Sequence, residues 1–157
     1  MLTDSHPVYS LVFVWRLVLA ALVLTLAGCG EAERPTMAVS IAGSIEAPPG
    51  IPASGTVYVN LYHAWSLEGD LRHAVQFIES FETKTGSYSH EFAYPLDRGE
   101  GLLIYAWLDV DGDGVLCTPD VRSDIAGLTE VTSFPADAVS ADIQIGAPCA
   151  GPDWFFP

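Results

Sequence analysis

The stretch that most constrains this chain runs from residue 101 to residue 120, GLLIYAWLDVDGDGVLCTPD. Its first half alternates. Leu102, Ile104, Ala106 and Leu108 fall on one parity and Leu103, Tyr105 and Trp107 on the other, the period of a strand rather than of a helix. Its second half is acidic and punctuated by glycine. Counted from Asp109, aspartates stand at positions 1, 3, 5 and 12 (Asp109, Asp111, Asp113, Asp120), with Gly114 at position 6. In a tightly curled loop alternate residues turn their carboxylates inward, glycine takes the sharp turn, and the next residue, Val115, offers its carbonyl. Calcium takes about six to eight oxygens, and this loop supplies oxygens in that manner. Leu116 can plug a core. The competing reading is a solvated hairpin turn, because Asp-Gly pairs also make those.

The spacing resembles the D-x-D-x-D-G loops of EF-hands and of dockerin and thrombospondin-type repeats. Two departures stand out. The usual last ligand is a bidentate glutamate, and here it is the shorter Asp120; the segment ahead of the loop is a strand, not a helix. The shorter ligand implies an open site with a calcium affinity of about 10⁻⁴ to 10⁻³ M. After the loop, Thr118-Pro119 can cap a short helix that reaches about Ala126 before Gly127 stops it.

The rest of the chain is spaced like strands. Val39, Ile41 and Ile45 share a parity, with Gly43 between them marking a bulge or a close approach. Residues 56–65, TVYVNLYHAW, place Val57, Val59 and Leu61 on one face and Tyr58, Asn60 and Tyr62 on the other. Residues 66–70 read as a turn, 71–81 as a less regular strand, and 87–94 as a strictly alternating one. A strand over 128–134 and an alternating strand over 139–145 close the set. Short strands separated by glycine and proline predict an all-β fold, an antiparallel β-sandwich. Residues 55–62, the YAWLDVDGDG strand and loop, and the closing ADIQI resemble transthyretin-like sandwich modules such as carboxypeptidase-regulatory-like domains. That resemblance covers residues 37–147 and implies a fold more than a task.

Residues 8–27 are almost wholly apolar, interrupted by Arg16, and end in Leu26-Ala27-Gly28-Cys29. The tetrapeptide matches the lipobox of bacterial lipoproteins. The resemblance makes residues 1–28 a signal peptide, Cys29 the lipid-bearing first mature residue, and residues 29–36 a short lipidated tether. The unbroken apolar run, 17–27, is too short to span a bilayer unaided. A signal anchor running through Arg16 is the competing reading. The segment ahead of the run holds Asp4 and no lysine, which suggests a start further downstream, at Val12 or Val14. Gly30, rather than aspartate, follows the cysteine, so the resemblance implies the outer membrane of a cell that has one. The domain would then face the periplasm or the cell surface.

The formal charge of −14 is unchanged when residues 1–28 are removed, since they carry one acid, Asp4, and one base, Arg16. That balance excludes nucleic acid as a partner and argues against docking on anionic headgroups. Three cysteines are present, and with Cys29 lipidated an oxidising envelope is expected to pair Cys117 with Cys149. The tail, 148–157, ends in Trp154, Phe155 and Phe156, either capping a core or forming an exposed sticky end.

Catalytic motifs are absent: there is no G-x-S-x-G elbow and no phosphate-cradling glycine loop. His63, His73 and His90 lie on different expected strands without the short spacing of a preformed zinc site, and read as structural histidines. Glu79, Glu82 and Glu91 read as surface charges rather than a glycosidase pair. With Val57, Val59 and Leu61 facing a core, Tyr58, Tyr62, Tyr105 and Trp107 share the opposite face. They form an aromatic platform for a glycan or protein partner, unless a loop or the tail covers them. The sequence therefore points to a membrane-held, non-enzymatic, calcium-stabilised binding or assembly module. The alternative is a small calcium-dependent envelope hydrolase acting on glycan or peptide.

Overall fold

The computed structural model describes residues 35–155 apart from 53, 68–69, 97–100 and 132, with the backbone alone for 65–67 and 70–75. Cys29 and the proposed signal peptide lie outside the described residues. Among the described residues nine strands build two sheets: β1 Thr36–Glu46, β2 Thr56–Leu67, β3 Asp70–Thr83, β4 Gly86–Pro95, β5 Gly101–Asp109, β6 Ile125–Val131, β7 Ala138–Ser140, β8 Ile143–Gln144 and β9 Ala147–Pro148. One sheet has the order β4-β1-β7, with β8 following β7 along β1; the other has the order β3-β2-β5-β6-β9. The fold is an all-β sandwich, and among the described residues the only helix is a 3-10 turn at Pro152–Phe155.

Alternation decides which faces meet. Val39, Ile41 and Ile45 of β1, Val57, Val59 and Leu61 of β2, and Leu102, Ile104, Ala106 and Leu108 of β5 interdigitate between the sheets with Tyr88, Phe92 and Tyr94 of β4. Each fully buried aliphatic side chain contributes about 1.5–3 kcal/mol. Strand β5 is buried along its whole length on both faces, so its even residues serve the main core and its odd residues a second apolar layer outside. Gly43 marks a close approach: a Cβ there would fall 1.9 Å from the Ala141 carbonyl oxygen.

Four expectations are corrected. No helix follows the acidic loop. The segment turns instead, with the Thr118 amide donating to the Val121 carbonyl at 2.9 Å, and β6 starts at Ile125 because its backbone pairs with β5 from Leu108 onward. The alternating run 139–145 is broken at Ala141 and Asp142, where the carbonyl of Ala141 accepts from Tyr88 and that of Asp142 from Thr129. Both halves of this run, β7 and β8, pair with β1 in parallel, so the first sheet is mixed rather than wholly antiparallel. Residues 66, 67 and 70, expected in a turn over 66–70, belong to strands, for β2 continues to Leu67 and β3 starts at Asp70.

Candidate metal centre

Asp109 ends β5 and is 4% exposed. Its two carboxylate oxygens accept from the amides of Gly112 at 2.7 Å and Gly114 at 2.9 Å, curling the chain back over the strand end. Both glycines hold positive φ, 79° and 74°, which a side chain would oppose. Asp111 accepts from the Asp113 amide at 3.2 Å and Asp113 from the Val115 amide at 2.8 Å, so the alternating acids organise the loop locally. The chain then turns at Thr118 to Val121, and Asp124 arrives beneath the loop, fully buried. Its carboxylate accepts from the amides of Val110 at 2.9 Å and Cys117 at 3.0 Å. Ser123 adds a hydroxyl bond to Asp111.

One oxygen from each of Asp109, Asp111, Asp113 and Asp124 lies within 4.8 Å of the others. Asp120 is exposed and stands outside this group; Asp124 occupies the place that spacing alone gave to Asp120. The signal for Asp124 is sheet register. Ile125 pairs with Leu108, so the residue before it falls beside Asp109 at the end of the ladder. Val115 is exposed and Leu116 half-buried against the outer apolar layer. Among the described residues no lysine or arginine forms an ion pair with the four acids. Two of the four are buried, and the amides that donate to Asp109 and Asp124 offset part of the cost of burying their charge. Four carboxylates gathered in this way form an all-oxygen donor set that could hold a metal ion.

A disulfide locks this loop. Cys117 and Cys149 are bonded, with Cα atoms 5.6 Å apart. Both residues hold left-handed φ, 47° and 52°, a conformation costly for a side chain. Each half-cystine also bonds Asp124: the Cys117 amide donates to its carboxylate and the Cys149 amide to its backbone carbonyl, at 3.0 Å each. Asp124 is thus the shared anchor of loop and tail.

The tail covers most of the expected aromatic platform. Tyr105 and Trp107 are buried, and the Tyr105 hydroxyl donates to the Ala150 carbonyl at 2.8 Å. Phe155 meets the Tyr105 ring edge-on. Burial pushes the Tyr105 hydroxyl well above its ordinary range. Tyr58 stacks on Trp107 with ring centroids 4.5 Å apart, and Tyr62 meets the exposed Phe77 edge-on; both tyrosines stay partly open. Of the histidines, His63 is buried against Tyr94 and His90 bonds Glu79 at 2.6 Å, while the His73 side chain lies outside the described set. Glu82 and Glu91 are exposed.

No protein-family model matches the chain, and no curated protein matches it. Among solved structures, an alternative pilotin from the type II secretion system of Vibrio cholerae is similar at 16% identity and a TM-score of 0.40, over 70% of this chain and 98% of that one.

Proposed function

We propose that this protein is a lipid-anchored module of the bacterial envelope whose sandwich is braced by calcium and which binds or assembles other envelope components without catalysing a reaction. The lipobox supports the anchor through Cys29, residues 29–36 the tether, and the filled space between the sheets a binding rather than a catalytic role. The observation that carries the calcium reading is the convergence of four carboxylates, two of them buried, on one point at the end of β5. Without a cation these charges repel and loosen the loop. With one, the loop is fixed to the strand that fills both apolar layers.

Because the ion binds only the folded chain, stability rises by mass action, by about 1.4 kcal/mol at ten times the dissociation constant. Melting of the purified domain is expected to shift upward with millimolar calcium relative to chelator, and Asp109→Ala is expected to abolish the shift. A wild-type melting point indifferent to calcium, or a variant as responsive as wild type, overturns the reading. Magnesium is expected to act more weakly, since it holds its water and demands a tighter octahedron.

A further inference from the structure

The outer edges of a two-sheet sandwich are exposed to pairing, because a row of unbonded amides and carbonyls invites another strand. Most edges here are blunted. Strand β3 shifts register twice against β2, after Leu61 and after His63. Strands β7 and β8 are three and two residues long. Strand β9 is two residues long and ends in Pro148, and the rest of β6 is overlain by residues 142–144, where Thr129 bonds the Asp142 carbonyl. Strand β4 differs. Its ten residues pair with β1 without a break, from Gly86 opposite Ile45 to Pro95 opposite Thr36. It carries no lysine and no bulge, and its proline is its last residue.

The hydrogen-bond pattern fixes which backbone groups of β4 face outward. The Leu96 amide donates to the Pro35 carbonyl at 2.9 Å, in the same register as the rest of the ladder. Antiparallel pairs alternate between bonded and unbonded, so Tyr94, Phe92, His90 and Tyr88 turn their backbone groups towards β1. Ala93, Glu91, Ser89 and Ser87 turn theirs away from it. The residues opposite Glu91 and Ser89 agree: the Ser40 amide donates to the Asp137 carbonyl and the Ala42 carbonyl accepts from the Ala141 amide, both on the far side of β1. Among the described residues no backbone group bonds the outward side of these four. All four are exposed, and the side chains of Ser87, Ser89 and Ala93 are too small to bar an incoming chain. From Ser87 to Ala93 the edge offers its amides and carbonyls over about 20 Å.

The charges beside this edge are mostly acidic. Glu91 lies on it, Glu79 and Glu82 on β3, and Lys84 in the turn that joins the two strands. The His90 ring, the other nearby group able to carry positive charge, bonds Glu79 at 2.6 Å. Beyond Thr83, where Val57 and then Thr56 lead to Asp109, the acidic loop adds charge of the same sign. Glu46 and Asp142 are tied to Gln144 and Ser44 on the far side of β1. Asp97, Arg98 and Glu100, next along the chain, lie outside the described residues. A second copy would bring a matching Glu91 to this edge, on a chain whose formal charge is also −14. A basic segment meets attraction instead.

We infer that the outer edge of β4, from Ser87 to Ala93, takes up an extended, basic segment of a partner protein as an added strand. Such a partner supplies the binding role proposed above, on which the inference rests. Main-chain bonds hold the segment, and Glu91 and Glu82 favour lysine or arginine along it. The test uses the full chain in dodecyl maltoside with calcium, and a fluorescein-labelled peptide alternating valine and lysine, about eight residues long to match the edge. Binding is expected by anisotropy, with slowed amide exchange at Ser87, Ser89, Glu91 and Ala93. The peptide N-methylated at every amide has no main-chain donor and is expected to bind at least about tenfold more weakly. Ser89→Pro removes an outward amide that β1 does not use, and is expected to keep the fold and weaken binding about tenfold. Glutamate in place of the peptide's lysines is expected to weaken binding about tenfold as well. Protection elsewhere, or equal affinity of the N-methylated peptide, overturns the edge as the site and leaves the binding role standing. Equal affinity of the acidic peptide overturns the basic partner. Slow exchange at the four amides in the protein alone, unchanged by peptide, gives the edge to this chain or to a second copy and overturns the inference. A folded, calcium-responsive protein that binds no peptide overturns the inference while the calcium-braced module stands. Cleavage of a peptide that protects the edge overturns the non-catalytic role and upholds the edge as the site.

Discussion

At the scale of single residues, Asp124 bears more of the architecture than any other acid. It is fully buried, accepts from two amides of the loop with its carboxylate, and accepts from the tail with its carbonyl. Asparagine at this position would turn an N–H towards one of those donors. In the presence of calcium, Asp124→Asn is expected to cost about 1–3 kcal/mol and to remove most of the calcium-induced rise in stability. Asp120→Asn is expected to leave both within about 0.5 kcal/mol of wild type, as a surface change does. Denaturant melts with calcium and with chelator decide between them. If Asp120→Asn proves the more damaging, the loop's own spacing rather than sheet register chooses the fourth ligand.

Among the elements, the segment from β7 through β9 and into the tail is the one that joins layers. Strands β7 and β8 extend the first sheet along β1, whereas β9 pairs with β6 in the second. Beyond it, the tail is held to the outer face by the disulfide, the Tyr105 to Ala150 bond and the Phe155 contact. Strand β9 is only two residues long, so the covalent link matters disproportionately. The bridge spans 32 residues, and on the chain-entropy estimate its loss costs about 3–4 kcal/mol. Cys149→Ser is accordingly expected to lower stability by that amount. It should also open Trp107 to acrylamide quenching, by loosening the tail that lies over its layer. Unchanged quenching with lowered stability would show that the tail stays seated without the bridge.

For the molecule as a whole, the pH dependence of stability follows from groups held by the fold. Asp142 receives the Ser44 hydroxyl and amide at 2.8 Å each, which hold its carboxyl below the usual aspartate range. Its folded pKa is depressed, so its contribution is complete above about pH 4 and disappears as pH falls through the folded value. Burial, then the nearby Asp142 carboxylate, pushes the Tyr88 hydroxyl up to about 12. With the folded pKa raised, that contribution is complete below about pH 10, where the unfolded tyrosine ionises, and is lost as pH rises towards the folded value. Stability is therefore expected to fall on both limbs. Ser44→Ala should flatten the acid limb, and Tyr88→Phe the alkaline one. Denaturant midpoints across the pH range test both; limbs unaltered in these variants would assign the slopes to other groups.

Sequence by itself determined the strands and their inward faces, because alternation at Val57, Val59 and Leu61 or at Leu102, Ile104 and Ala106 is a local property of a pleated chain. It also determined the acidic turn, since carboxylates spaced by two and a glycine organise their own loop through bonds to neighbouring amides. Spacing could not determine which acid completes the cluster. Asp124 meets Asp109 only through the pairing of β6 with β5, a contact between strands that no local period encodes. For the same reason the break at Ala141 and Asp142 escaped alternation: both faces of that run keep their parity while Gly43 lets the chain close against β1. The fate of the aromatic platform was likewise a tertiary decision. Tyr105 and Trp107 point away from the main core in any strand reading, and only the return of the tail, fixed at Cys149, decides that they are covered.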